Sequence, residues 1–228
     1  MRRVTEQLLA RELGSQAGLK IMDAGCGTGG NLGALTPLGH VIGFDASAVA
    51  LGYARRAYSG RLAQASIEAT PYPDDAFDLV TSFDVIYSCN VADDVQALRE
   101  MAHVTRPGGY VLIRVSALPA LRGPHDVAVH GCRRYTEREL RRKLAEAGLA
   151  VRRVTYANSL LLPGVLIIRR LQRLLLRAGR QPATDVWAAP KLINRLLIGL
   201  LEMEAHWIGG GHRFPLGVSL FALATKPG

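Results

Sequence analysis

The stretch that most restricts this chain is Ile21 to Gly30, IMDAGCGTGG. An apolar pair, an acid and four glycines within six positions predict a buried strand that turns sharply into a helix. Glycines let backbone approach a ligand with no Cβ in the way. A second apolar run, His40 to Phe44, ends at Asp45, twenty residues after Gly25. A carboxylate there can accept both ribose hydroxyl protons. Two ligands fit such a loop: the pyrophosphate of a dinucleotide and the amino-acid end of S-adenosylmethionine. Asp23 separates them. A carboxylate beside two phosphate charges is unfavourable, whereas an α-ammonium and a sulfonium are stabilised by it.

Around this loop, strand and helix signals alternate. Val4 to Leu13 has helical spacing, and Ser47 can cap a helix running to about Tyr58. Val91 to Val104 reads as a helix with Asp93 and Asp94 in its first turn, and Thr136 caps Glu137 to Ala147. Strand signals fall at 19–22, 40–44, 61–65, 77–83, 110–115, 149–156 and 217–225. Repeated strand–helix–strand units predict parallel strands with right-handed crossovers. The expected fold is therefore α/β: a doubly wound, seven-stranded, mostly parallel sheet in a single domain over 1–228.

About fifty-five residues separate strands six and seven, far more than a hairpin needs. Residues 158–212 are read as a helical lid inserted there. Its first helix would carry Arg169, Arg173, Arg177 and Arg180 on one stripe, with Ile167, Ile168, Leu171, Leu174 and Leu175 opposite. Pro182, Asp185 and Pro190 punctuate the connection to a second apolar helix, from about Lys191 to Trp207.

Net charge is +9, unevenly placed. Residues 1–110 hold 9 Lys+Arg against 12 Asp+Glu; residues 111–228 hold 19 against 7. A basic half of this kind is either a solvated face or a surface for an acidic partner, an anionic membrane among them. Few aromatics interleave the basic residues, which argues against nucleic acid. Three cysteines, Cys26, Cys89 and Cys132, form no CxxC pair and are odd in number. They predict neither a disulfide framework nor a zinc site, and fit a reducing cytoplasm. The N-terminal segment lacks the apolar core of a signal peptide. No apolar run approaches the roughly 18 residues of a membrane span.

IMDAGCGTGG followed by VIGFDAS resembles the cofactor motifs of class I S-adenosylmethionine-dependent methyltransferases, in the small-molecule, type 11 branch. PYPDDAFDLV, FDVIYSCNVADD and LREMAHVTRPGGYVLIR extend the resemblance through Val115. It implies a Rossmann-like methyltransferase fold that binds S-adenosyl-L-methionine, releases S-adenosyl-L-homocysteine and uses no metal. By position, it assigns Asp23, Gly25, Cys26 and Gly27 to the methionine moiety and Asp45 to the ribose. Ala46, Ser66 and Ile67 would lie around the adenine, and Phe83 and Asp84 would border the methyl group. Two positions depart from the family: Ser66 replaces an acid that binds the adenine amino group, and Ser88 replaces a frequent histidine.

Methyl transfer from a sulfonium needs alignment above all, and a base only where the acceptor must lose a proton. His125 and His130 are the candidate bases, and Tyr87 a candidate for orienting the acceptor. The expected activity is transfer to an oxygen or nitrogen of a small, hydrophobic acceptor, in the cytoplasm or peripheral to a membrane. Two alternatives stay open: a non-catalytic S-adenosylmethionine-binding or regulatory protein of the same fold, and a nicotinamide-dependent oxidoreductase.

Overall fold

The computed structural model describes residues 1–14, 16–177 and 190–228, except the side chains of 173–177 and 191–192. Seven strands form one sheet: β1 (Leu19–Ala24), β2 (Gly39–Asp45), β3 (Arg61–Gln64), β4 (Phe77–Phe83), β5 (Thr105–Ser116), β6 (Ala150–Ala157) and β7 (Ser219–Thr225). Their spatial order is β3-β2-β1-β4-β5-β7-β6. The first five pair in parallel; β7 runs antiparallel to both β5 and β6. Chain order reverses between β1 and β4. In an open sheet that crevice, beyond the carboxyl ends of the strands, is where ligands bind.

Side chains alternate across each strand, so neighbours in sequence feed opposite layers. Met22, Val80 and Val111 join one core, against α4 (Asp94–Val104) and α6 (Glu137–Glu146). Ile21, Leu79 and Leu112 join the other, with α1 (Arg2–Leu13), α3 (Ala48–Ala57) and α8 (Lys191–Gly209). Ser47 and Thr136 cap α3 and α6 as the sequence predicts, accepting from Ala50 and Glu139 backbone N–H. α4 begins later than its apolar spacing suggests. Asp93 caps it, accepting from Val95 and Gln96, while the Glu68 carboxylate holds the Ala92 and Asp93 N–H groups outside the helix.

Two helices occupy the segment between β6 and β7. α8 packs its second half on α1, burying Ala205 and Ile208. Arg153 of β6 donates to the carbonyls of Ile208 and His212 at the helix's C-terminal end. Buried Glu204 accepts from the backbone N–H groups of Asn158, Ser159 and Leu160. These bonds tie α8 to the approach of α7 (Leu162–Arg177).

α7 turns its arginine stripe inward at Arg169. Arg169 is only 8% exposed and lies beside Gly123, donating to Gln172, whereas Ile167, Ile168 and Leu171 face solvent. Contact with the segment after β5, not hydrophobicity, sets which face turns inward. Arg180, Pro182 and Asp185 lie outside the described residues, as do the side chains of Arg173, Leu174, Leu175 and Arg177.

Candidate functional site

The crevice at the strand-order reversal is a cleft lined by Gly25, Phe44, Asp45, Ala46, Ala65 and Ser66 from β1 to β3. Ile67 and the loop after β4, with Asp84, Val85, Ser88, Asn90 and Val91, complete it. The glycine loop is shaped by its neighbours. Gly25 adopts a left-handed φ of 77°, and a Cβ there would sit 2.5 Å from Val85 Cγ2. Only glycine meets both conditions. The Gly25 and Cys26 N–H groups donate to the Phe44 carbonyl at 2.9 and 2.8 Å, bringing the end of β2 against the loop.

Asp45 ends β2. Its two carboxylate oxygens accept from Gly27 N and Ser47 N, each at 2.8 Å. Each oxygen retains a further lone pair, so the carboxylate is oriented yet still able to accept hydroxyl protons. Asp23 stands behind the loop, 1% exposed. Its Oδ1 accepts from Thr81 Oγ1 at 2.7 Å, while Oδ2 has no partner. Burial pushes the Asp23 carboxyl up to about 6, against the lowering effects of Thr81 and Arg114. A buried, unpartnered carboxylate oxygen is costly unless a donor reaches it.

Asp84 follows β4 in the left-handed region, at φ 63°, uncommon for a residue other than glycine. Its backbone N–H donates to the Arg114 carbonyl and its carboxylate pairs with the Arg114 guanidinium. That guanidinium also lies 5.2 Å from the Phe83 ring centroid.

Of the residues assigned from sequence, the cleft brings together Gly25, Asp45, Ala46, Ser66, Ile67 and Asp84. Asp23 near the end of β1, and Cys26 and Gly27 of the glycine loop, do not appear on the cleft wall, and Phe83 is buried beneath Arg114. The Cys26 thiol, buried and close to Asp23 and Asp45, is pushed up to about 12, which removes its nucleophilic form at neutral pH. Ser66 accepts from Glu68 N, leaving its own proton to donate. Tyr87 is buried and hydrogen-bonded to Ser116; burial and the Asp84 charge push its phenol up, suiting it to donate rather than to accept a proton. His125 lies on α5 (Pro124–Ala128) and His130 just beyond it; both are exposed and neither lines the cleft. Asp126, next to His125, pairs instead with Arg134. Sequence reading missed Phe44 and Ala65, whose only signal is their position at the ends of β2 and β3, and Val85, Asn90 and Val91 of the loop after β4. No group of three or more metal-ligating side chains occurs among the described residues.

Cys89 and Cys132 form a disulfide, with Cα atoms 5.0 Å apart. This overturns the expectation of unpaired cysteines and removes that ground for a reducing compartment. The pair is 43 residues apart in sequence, and only the tertiary fold brings it together. Ser88 and Gly131 form an antiparallel bridge, and Cys89 N donates to the His130 carbonyl at 2.8 Å. The disulfide thus fastens the α5 segment to the loop that supplies Ser88 and Asn90 to the cleft. Reducing it, or Cys132→Ser, is expected to weaken the affinity for S-adenosylhomocysteine severalfold while the fold persists. Calorimetry with and without a thiol reductant measures this; equal affinities would show that the loop holds its place without the bond.

A Rossmann-like, doubly wound sheet with a nucleoside-sized cleft at its switch point defines the class of protein. Residues 22–113 match the methyltransferase domain family. The chain is 35% identical over 122 residues to a demethylmenaquinone methyltransferase of Halalkalibacterium halodurans, covering 49% of each protein. It is 36% identical over 126 residues to a malonyl-[acyl-carrier protein] O-methyltransferase of Enterobacter lignolyticus, covering 53% of this chain and 49% of that protein. The chain thus spans about half the length of the curated relatives it matches. In fold it is similar to an S-adenosylmethionine-dependent methyltransferase of Mesorhizobium loti, with a TM-score of 0.61, 19% identity and 96% of each chain covered. Over residues 22–113, then, the chain is similar to methyltransferase domains, on a fold that it shares with solved methyltransferases.

Proposed function

We propose that the chain transfers a methyl group from S-adenosylmethionine to an oxygen or nitrogen of a small, hydrophobic acceptor. The observation that carries this reading is the charge of the cleft. Asp45 lines it, Asp84 lines it paired with Arg114, Asp23 stands behind it, and no described residue on its wall is a lysine, arginine or histidine. Such a cleft disfavours a pyrophosphate and favours a cationic ligand.

The residues fit this cofactor. Asp23 Oδ2 is a buried acceptor in need of a donor, as an α-ammonium is. Asp45 would hold the ribose, and Phe44, Ala46, Ser66 and Ile67 would surround the adenine. When bound, S-adenosylmethionine supplies a methyl group already activated by its positive sulfur. The protein's part is then alignment, which can be worth an effective molarity of about 10⁵ to 10⁸ M. Tyr87 would orient the acceptor as a hydrogen-bond donor. His125 and His130 are the candidates for taking a proton from it.

The acceptor would enter beneath the segment 158–212, serving as a lid. A second cleft, lined by Met1, Arg3, Val4, Asn158, Ile198, Leu201 and Glu202, opens between α1 and α8. One relative's name specifies demethylmenaquinone, which supports a hydrophobic acceptor; the other specifies a carrier-bound malonyl group, which supports transfer to oxygen.

Calorimetry with S-adenosylhomocysteine and with NAD is expected to show binding of the first alone. Binding of NAD alone would establish the nicotinamide reading. Transfer of labelled methyl to a panel of phenols, quinols, carboxylates and amines then separates enzyme from binder. Turnover on any of these acceptors would end the non-catalytic reading.

A further inference from the structure

The two helices between β6 and β7 carry apolar side chains that neither core absorbs. α7 turns Leu166, Ile167, Ile168 and Leu171 outward; Ile167 is 62% exposed. α8 is more unusual. Over residues 193–200 every side chain but Leu197 is exposed, so this part of the helix stands clear of the sheet on nearly all sides. It is apolar nonetheless: Ile193, Leu196, Ile198 and Leu200 are all exposed, Leu196 at 63%, followed by Met203 and Trp207. A helix that is hydrophobic all round is ordinarily buried, and large exposed apolar patches mark interaction surfaces.

The charge around these residues identifies the occupant. From Leu160 to Trp207 the chain carries seven Lys+Arg against three acids, Asp185, Glu202 and Glu204, the last of them buried. Arg170 and Arg195 are exposed among the outward-facing apolar residues. Apolar side chains flanked by cations are the composition of a helix that lies in a bilayer interface, its apolar side among acyl chains and its arginines at the headgroups. A second copy of this chain would present the same positive charge and be repelled. No helix among the described residues is long and apolar enough to cross a membrane, so the contact is peripheral.

We infer that the outward face of α7 and the projecting half of α8 dock the protein on an anionic lipid bilayer. Glu204 fixes their relation at one point, because this α8 carboxylate holds the backbone leading into α7. The docking element also borders a cleft: Ile198, within the exposed run, and Leu201, just after it, line the second cleft beside Met1 and Val4. A lipid-soluble acceptor could pass from the bilayer along α8 into that cleft. This delivery rests on the proposed function, whereas the docking does not.

Co-sedimentation of the full chain with phosphatidylcholine vesicles, with and without phosphatidylglycerol, tests the docking independently of catalysis. Binding is expected to require phosphatidylglycerol. It should fall severalfold as salt shortens the screening length from about 8 Å at 0.15 M to about 3 Å at 1 M. L196E combined with I193E should lower vesicle affinity by about tenfold or more, since two apolar side chains no longer leave water. The same variant should keep its circular dichroism and its binding of S-adenosylhomocysteine. No binding to anionic vesicles, or equal binding by the variant, would overturn the inference. A dimer that the double substitution converts to monomer, without vesicle binding, would overturn it too and make the face a self-association surface.

Discussion

Asp23→Asn is expected to cost cofactor affinity and to leave the fold as stable as before or more so. Asp23 lies near the end of β1 in register with Gly43 on one side and Thr81 on the other, inside the sheet. Its carboxyl is pushed up to about 6 from an ordinary 3.8, chiefly by burial. A shift of about two pKa units corresponds to roughly 3 kcal/mol of cost for burying the charge. The folded chain holds this proton more tightly than the unfolded chain does. The contribution of Asp23 to stability is therefore present below about pH 3.8 and is lost as pH rises through about 6. An amide keeps the acceptor for Thr81 and carries no charge, so thermal melts at pH 7 to 8 should show an equal or higher midpoint for the variant.

Binding should move the other way. The ionised carboxylate, with Oδ2 unpartnered, is what an α-ammonium needs. Losing a charge-assisted hydrogen bond of about 1.5–3 kcal/mol lowers affinity by roughly ten- to a hundredfold. In the native protein, affinity for S-adenosylhomocysteine should weaken as pH falls through about 6; in the variant that dependence should flatten. Calorimetry across pH 5 to 8 reads both. Unchanged affinity would mean that Asp23 does not serve the ligand, and a lowered melting point would make it a structural group.

Much of this site could be read in the sequence because its markers are local. The acid, the glycines and the second acid sit at fixed distances along one strand–turn–helix–strand unit, and the period-two strands around them are short and apolar. What escaped reading depends on distant contacts. Val85, Asn90 and Val91 reach the cleft because β4 pairs beside β1, which no residue in that loop announces. The Cys89–Cys132 pair has no spacing signature, since it depends on α5 folding back against the β4 loop. The helical periodicity of α7 was legible, but not which face it buries. An arginine with a hydrogen-bonding partner can displace isoleucine from the interior when the neighbouring segment offers polar backbone rather than a core.

The second large effect is expected at Asp126, and it separates positioning from chemistry on the segment that carries both candidate histidines. Asp126 Oδ1 accepts from Arg134 Nε at 2.8 Å and Oδ2 accepts from Gly123 N at 2.8 Å. Arg134 in turn donates to the Ala117 carbonyl at 2.7 Å, so the carboxylate joins the end of β5, α5 and the approach to α6. The side chains of the pair are 4% and 6% exposed. Asp126→Ala leaves the guanidinium buried without its counter-charge, a change that typically costs roughly 3–5 kcal/mol. In a domain of this size the melting temperature should fall by about 10 °C. Replacing Arg134 by Met in the same chain should recover part of the loss, because the stranded charge goes with it. His125→Ala and His130→Asn lie on the exposed side and should shift stability by no more than about 0.5 kcal/mol; asparagine suits the left-handed backbone at 130. If a histidine variant keeps its melting point and its affinity for S-adenosylhomocysteine but loses methyl transfer with a changed pH profile, that histidine handles the proton. If transfer falls only with Asp126→Ala, and returns as far as stability does in the double variant, the segment's role is to hold the cleft wall and the acceptor needs no base from it.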